Sequence, residues 1–261
     1  MNMPATTNSA RARSLGMLLA LNLMGLWGVV GQTIGPATSS PGILRSNALR
    51  TLVIRRETAR TNASTAARLE LAKETFLFGD LAADSAERET IALEGIEATR
   101  AVLSETNVVA GNYYLALNLG QLARTRTLSA LGLVKQMEQY FKEAIALDPS
   151  YEHAGPLRHL GELYLDAPGW PVSIGNRSNA RTFIEKAVST APEYPENPLL
   201  YVEALVKWGE YAKARTENKA LEALFAKVQP SYTGDQFAPI WADWRTRLAE
   251  VQQKLSQSPS P

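Results

Sequence analysis

The 261-residue chain has no cysteine and only two histidines. The lack of cysteine excludes disulfides, thiolate catalysis, cysteine zinc sites and the bacterial lipid anchor that is attached through cysteine. His153 and His159 are six residues apart with Pro156 between them, so they fall on different faces of any continuous helix and make a poor metal pair. No metal-ligand set and no cofactor motif is read. No run of alternating β-branched residues is long enough to propose a strand. Phosphate loops of the Walker type and His-Glu-x-x-His are absent, and Gly25, Gly28 and Gly31 lie in an apolar run rather than after a strand. Carboxylate pairs such as Glu87/Glu89 sit where a solvated helix end would put them. With nothing that activates a nucleophile, the expectation is binding, not catalysis. Strong positive charge is also missing. The formal net charge is +1, seven arginines fall in residues 1–60 against one acid, Glu57, and the remainder is mildly acidic. That is a poor footprint for nucleic acid, which needs a basic surface.

What is present suits a globular protein with a sizeable core: 45% hydrophobic and 20% charged residues. Arg11 and Arg13 precede an apolar run from Leu15 to Val30, so residues 1–31 read as an export signal, or as an anchor if uncleaved. Either way the folded part lies outside the cytoplasm, in the periplasm, and touches a membrane only through that segment. Residues 32–60, opened by a Pro-, Gly- and Ser-bearing stretch, read as a flexible tether, residues 61–255 as one helical domain, and residues 256–261 as a disordered tail.

Within 61–255 the punctuation is helical throughout. Asp84 with Glu87 is a candidate capping box. Asp148-Pro149 ends one helix, and Gly155-Pro156 opens the next with proline in its first turn. Asn197-Pro198 is read as a cap, Gly209 as a stop, and Trp241, Trp244, Leu248, Val251 and Leu255 mark the apolar face of a last helix. Small residues recur where paired helices must cross: Leu119-Gly120, Leu160-Gly161 with Tyr164, then Ala180, Ile184, Ala187 and Pro192. This is the tetratricopeptide pattern of stacked helical hairpins, although Pro149 and Pro192 are 43 residues apart against about 34 for a standard repeat. The fold expected is all-α, a tetratricopeptide-like array of about nine helices in antiparallel hairpins.

The long series His153-Ala-Gly-Pro-Leu-Arg-His-Leu-Gly-Glu-Leu-Tyr164, Ala167-Pro-Gly-Trp-Pro-Val-Ser-Ile-Gly-Asn176, Ala180-Arg181 and Tyr194-Pro-Glu-Asn197 resembles one family. It is the T component associated with TRAP transporters, the tripartite ATP-independent periplasmic importers. The resemblance covers about residues 140–225. It implies a periplasmic α-helical protein that docks a solute-binding subunit, or another envelope protein, and helps pass a small hydrophobic or acidic ligand. It also implies self-assembly. The chain departs from the lipoprotein form of the family, having no cysteine to acylate.

In repeat proteins the first helices line the concave face, so Asn112, Tyr113, Asn118, Tyr164 and Tyr201 are candidate groove-lining residues. Each tyrosine can equally fill a gap between hairpins. Arg158 either forms a surface pair with Glu162 one turn on or faces a groove and grips a carboxylate with both arms of its fork. Trp170, between Pro168 and Pro171, is either a clamp at the groove mouth or a plug that packs its own loop.

Overall fold

The computed structural model describes residues 41–126, 129–234 and 237–258. The expected export segment, and residues 32–40 of the expected tether, lie outside the described residues. All regular structure in the described residues is helical apart from one isolated bridge between Gly169 and Gly175. Ten α-helices follow in order: α1 Pro41–Thr61, α2 Thr65–Gly79, α3 Ser85–Glu105, α4 Val109–Ala123, α5 Ala130–Leu147, α6 Tyr151–Asp166, α7 Arg177–Thr190, α8 Glu196–Lys207, α9 Tyr211–Val228 and α10 Ala238–Gln257. None is both long and apolar enough to cross a membrane.

The expected tether is overturned from residue 41 onward. There the chain forms α1, which packs along α2 with Leu52 fully buried. Its arginines are what hold it. Arg45 pairs with Glu87, Arg55 with Glu70 and Arg56 with Glu94, so a segment whose own charge looks unbalanced is balanced by its neighbours. At the other end α10 runs through Gln257, and Arg215 bonds the Ser258 carbonyl and hydroxyl, so the expected tail begins later than residue 256.

Local signals explain most helix ends. Asp84 accepts from the Glu87 amide at 2.8 Å, while the Glu87 carboxylate reaches back to the Ala83 amide. At the end of α8, Gly209 adopts φ +77°, its amide bonds the Val206 carbonyl, and the Glu210 amide bonds the Leu205 carbonyl. That is the left-handed helix stop that glycine permits.

The helices pair as hairpins α2/α3, α4/α5, α6/α7 and α8/α9, and α10 closes over α8 and α9. The first helices form a row, α2 against α4, α4 against α6, and α6 against α8. A single apolar cluster from Leu52 to Leu255 runs through the array, so the hairpins share one core. α4 is buried on all sides from Gly111 to Ala123 and α6 from Ala154 to Tyr164. Close crossings depend on small residues. A Cβ at Gly161 would lie 2.7 Å from Ile184 Cγ1 and 3.0 Å from the Ile184 backbone nitrogen, and Ala187 is buried nearby.

Candidate functional site

The row of first helices encloses a cavity of about 160 Å³ between α2, α4 and α6, closed by Tyr194 and the start of α8. α2 contributes Lys73, Phe76 and Leu77. α4 contributes Tyr113, Tyr114 and Leu117, and α6 contributes Glu152, Arg158 and His159; Glu196 of α8 completes the wall.

The wall depends on an unusual turn. Asp148 ends α5 and accepts from both the amide and the hydroxyl of Ser150, at 2.8 and 2.6 Å. The next residues, Glu152, His153 and Ala154, all adopt left-handed backbone, with φ of 47°, 56° and 63°. Right-handed helix starts only at Gly155-Pro156, as the sequence suggests. Left-handed conformation costs about 1–2 kcal/mol for each residue with a Cβ, so this turn has to be held from outside. The Glu152 carboxylate accepts from the Tyr114 hydroxyl at 2.7 Å and from Lys73 Nζ at 3.2 Å. The His153 ring stacks on Tyr194 at 4.4 Å, and the His153 carbonyl accepts from Arg158 Nη1 at 3.2 Å and Asn197 Nδ2 at 3.1 Å. Burial pushes the Glu152 carboxyl up, but the Tyr114 hydroxyl and Lys73 outweigh it and leave it below the usual range. Burial raises the Tyr113 and Tyr114 phenols far above theirs and pushes Tyr194 up to about 12, so all three are neutral near pH 7.

Arg158 is the focus of the site. It is buried, its guanidinium lies 5.2 Å from the centre of the Tyr194 ring, and Nη1 also donates to Asn197 Oδ1 at 2.9 Å. It forms no ion pair with Glu162, so the surface-pair alternative is set aside. Its Nε is buried without a partner. Burial pushes its pKa down, but the nearby Tyr113 and Tyr194 phenols and the Glu196 carboxylate outweigh that, so Arg158 stays charged without a direct ion pair.

α6 carries a polar stripe, Arg158, His159, Glu162 and Asp166, on one helical face. His159 lines the cavity, while Glu162 and Asp166 line a second, open groove of about 810 Å³ between α6, α8 and α10. Arg247 sits in that groove and binds Glu203 with both arms, at 2.8 and 2.7 Å, together with Glu196 and Asp243. His159 Nδ1 is 3.2 Å from Glu162 Oε2. Burial lowers His159 well below its usual range and raises Glu162 well above its own, so burial favours the neutral form of each. The two linkages have opposite signs. Glu162 keeps its proton longer folded than unfolded, so its share of stability is present below pH 4.5 and is lost as pH rises toward its folded pKa. His159 contributes above pH 6.5, and that share is lost as pH falls. Replacing Glu162 by Gln keeps the shape and removes the first titration. The stability of Glu162→Gln relative to wild type should therefore climb as pH rises above 4.5, at a slope of up to about 1.4 kcal/mol per pH unit, read as a widening difference in melting temperature. A flat difference across that range would contradict a neutral Glu162.

The other residues singled out from sequence are distributed as follows. Tyr113 and Arg158 come together in the cavity. Asn112 instead bonds back onto the start of its own helix, its Nδ2 donating to Asn107 Oδ1 and the Val108 carbonyl. Asn118 is fully buried and clips α4 to α2 through the Ala72 carbonyl and the Thr75 hydroxyl. Tyr164 stacks on Phe183 and donates to Glu138, and Tyr201 donates to Glu185 at 2.8 Å, so both fill seams between hairpins. These four line neither hollow, because each buried polar tip has found a protein partner. Trp170 is 88% exposed, neither plug nor wall of either hollow. Trp170→Ser should leave the melting temperature within about 1–2 °C of wild type, since exposed changes are usually within about 0.5 kcal/mol. A larger drop in a calorimetric scan would show that the ring is packed. Asn197 lies inside the first turn of α8, whose cap is Pro195. Lys73, Phe76, Glu152, Tyr194 and Glu196 were not singled out as site residues, although Tyr194 and Glu196 fall in the series that carries the family resemblance. The only available signal was Gly155-Pro156, which marks a break beside which something must turn.

Comparison with family models and with curated proteins finds no match.

Proposed function

We propose that this chain is a periplasmic helical-repeat binding protein, an accessory component of a TRAP-type solute importer that docks a solute-binding subunit and holds a small apolar or acidic ligand. The observation that carries this reading is the cavity built where α2, α4 and α6 converge, where Phe76, Leu77 and Leu117 share the wall with a buried arginine and other polar side chains. Mostly apolar hollows with a few convergent polar groups are where small molecules bind. The resemblance of residues 153–197 to the T component adds the transport setting. The ionisable groups in contact there, Lys73, Glu152 and Tyr114, are engaged with one another, which supports holding over reacting.

A second reading, an envelope protein–protein scaffold, is favoured by the open groove between α6, α8 and α10. It is half open to solvent and lined by polar and apolar side chains alike, a mix that a peptide segment could match. One experiment separates the two readings: capture of the full chain by a C-terminal tag from envelope extract, followed by native mass spectrometry. Co-elution with a solute-binding subunit, together with mass added by a retained small molecule, is expected. Stable complexes with other envelope proteins and no small-molecule mass would favour the scaffold and sink the transport reading.

A further inference from the structure

Among the described residues, Arg56, Arg60 and Arg247 present the Nε–Nη2 edge of the guanidinium to a carboxylate. Arg56 does so to Glu94 at 2.8 and 2.6 Å, Arg60 to Glu57 at 3.0 and 2.7 Å, and Arg247 to Glu203 at 2.8 and 2.7 Å. That edge matches the spacing of two carboxylate oxygens. Arg158 uses only Nη1, for the His153 carbonyl and Asn197 Oδ1. Its Nε is buried without a partner, and no described residue bonds Nη2. The carboxylates that share its cavity are committed elsewhere, Glu152 to Lys73 and Tyr114, Glu196 to Arg247 and the Trp244 indole.

We propose that the cavity binds a small monocarboxylate, its two oxygens on the Nε–Nη2 edge of Arg158 and its short chain against Phe76, Leu77 and Leu117. This rests on the reading of the cavity as a ligand site. The Glu152 and Glu196 carboxylates on the same wall repel a second acid group, so a monoacid is preferred to a diacid. A volume of about 160 Å³ suits a chain of a few carbons. Nε has no accessible surface in the empty cavity, so a ligand engages it only after a side chain beside it shifts.

The test titrates the purified full-length protein with butyrate, butyramide and succinate by calorimetry, and follows the Arg158 Nε–H resonance by nitrogen-edited NMR. Butyrate should bind at least about ten-fold more tightly than either of the others and should move that resonance. Arg158→Lys keeps the charge but loses the fork, and should weaken butyrate at least about ten-fold. Equal affinity for butyramide and butyrate would overturn the carboxylate site and leave the cavity's role as a ligand site standing. Failure of all three to bind at millimolar concentration, with the resonance unmoved, would overturn both. Butyrate binding that leaves the resonance fixed would place the acid elsewhere and also overturn the proposal. The NMR readout uses the wild-type chain, so it does not depend on the variant folding.

Discussion

Asn197→Ala is expected to lower stability by about 3–5 kcal/mol, one of the two largest single-residue effects in this protein. The Asn197 side chain is fully buried and joins three parts of the chain. Its Nδ2 donates to the His153 carbonyl at 3.1 Å, to the Ala187 carbonyl at 3.3 Å and to the Ala191 carbonyl at 2.9 Å. Its Oδ1 accepts from Arg158 at 2.9 Å. Alanine removes all four contacts, leaves the carbonyl ends of α7 without their clip, and takes from a buried guanidinium one of its two partners. It also loosens the left-handed turn, which has only the Tyr194 stack, Arg158 and Glu152 left to hold it. For a chain of this size each kcal/mol is about 2–4 °C, so a melting temperature lower by about 6–20 °C is expected. A fall of less than about 2 °C would show that the turn is stable without the clip.

Gly161→Val should cost about 3 kcal/mol or more, through an unrelated mechanism. The atoms facing a Cβ there include the Ile184 backbone nitrogen at 3.0 Å and the Ala180 carbonyl oxygen at 3.4 Å. A flexible side chain could step aside, but the backbone of α7 cannot do so without moving the whole hairpin. Valine adds two methyl groups beyond that Cβ. Urea denaturation should show a lower midpoint for this variant. Gly132→Ala supplies the contrast, because a Cβ at that helical position meets nothing within 4 Å. Its expected effect is a gain of about 1 kcal/mol from helix propensity. Equal effects at the two sites would mean that the α6/α7 crossing is not tight.

The contrast between these two residues marks what could be read in advance. Gly161 was legible: a leucine-glycine pair in one helix and Ala180, Ile184 and Ala187 in the next state the crossing in the sequence itself, since only small residues let two backbones approach. Asn197 was misread as a cap. Its role depends on α6, α7 and α8 meeting at one point, and no spacing along the chain records that meeting. The same holds for α1, whose arginines looked like a charged tether because their partners Glu70, Glu87 and Glu94 are distant in sequence. Asn112, Asn118, Tyr164 and Tyr201 were placed on the correct helices but not in the groove. Helical periodicity gives the face a residue occupies, whereas on helices enclosed by neighbours every face is an inner one.

The amino-acid sequence by itself determined the all-α class, the hairpin order, most helix ends and the crossing at Gly161, because each of these follows from local backbone preference and from side-chain size at fixed spacing. Tertiary structure alone decided that Arg158 is buried without an ion pair, that Glu152 turns toward Lys73 and Tyr114, and that Trp170 stands in solvent. The physical reason is that burial and charge pairing are properties of neighbourhoods, and packing the hairpins brings together residues that lie dozens of positions apart.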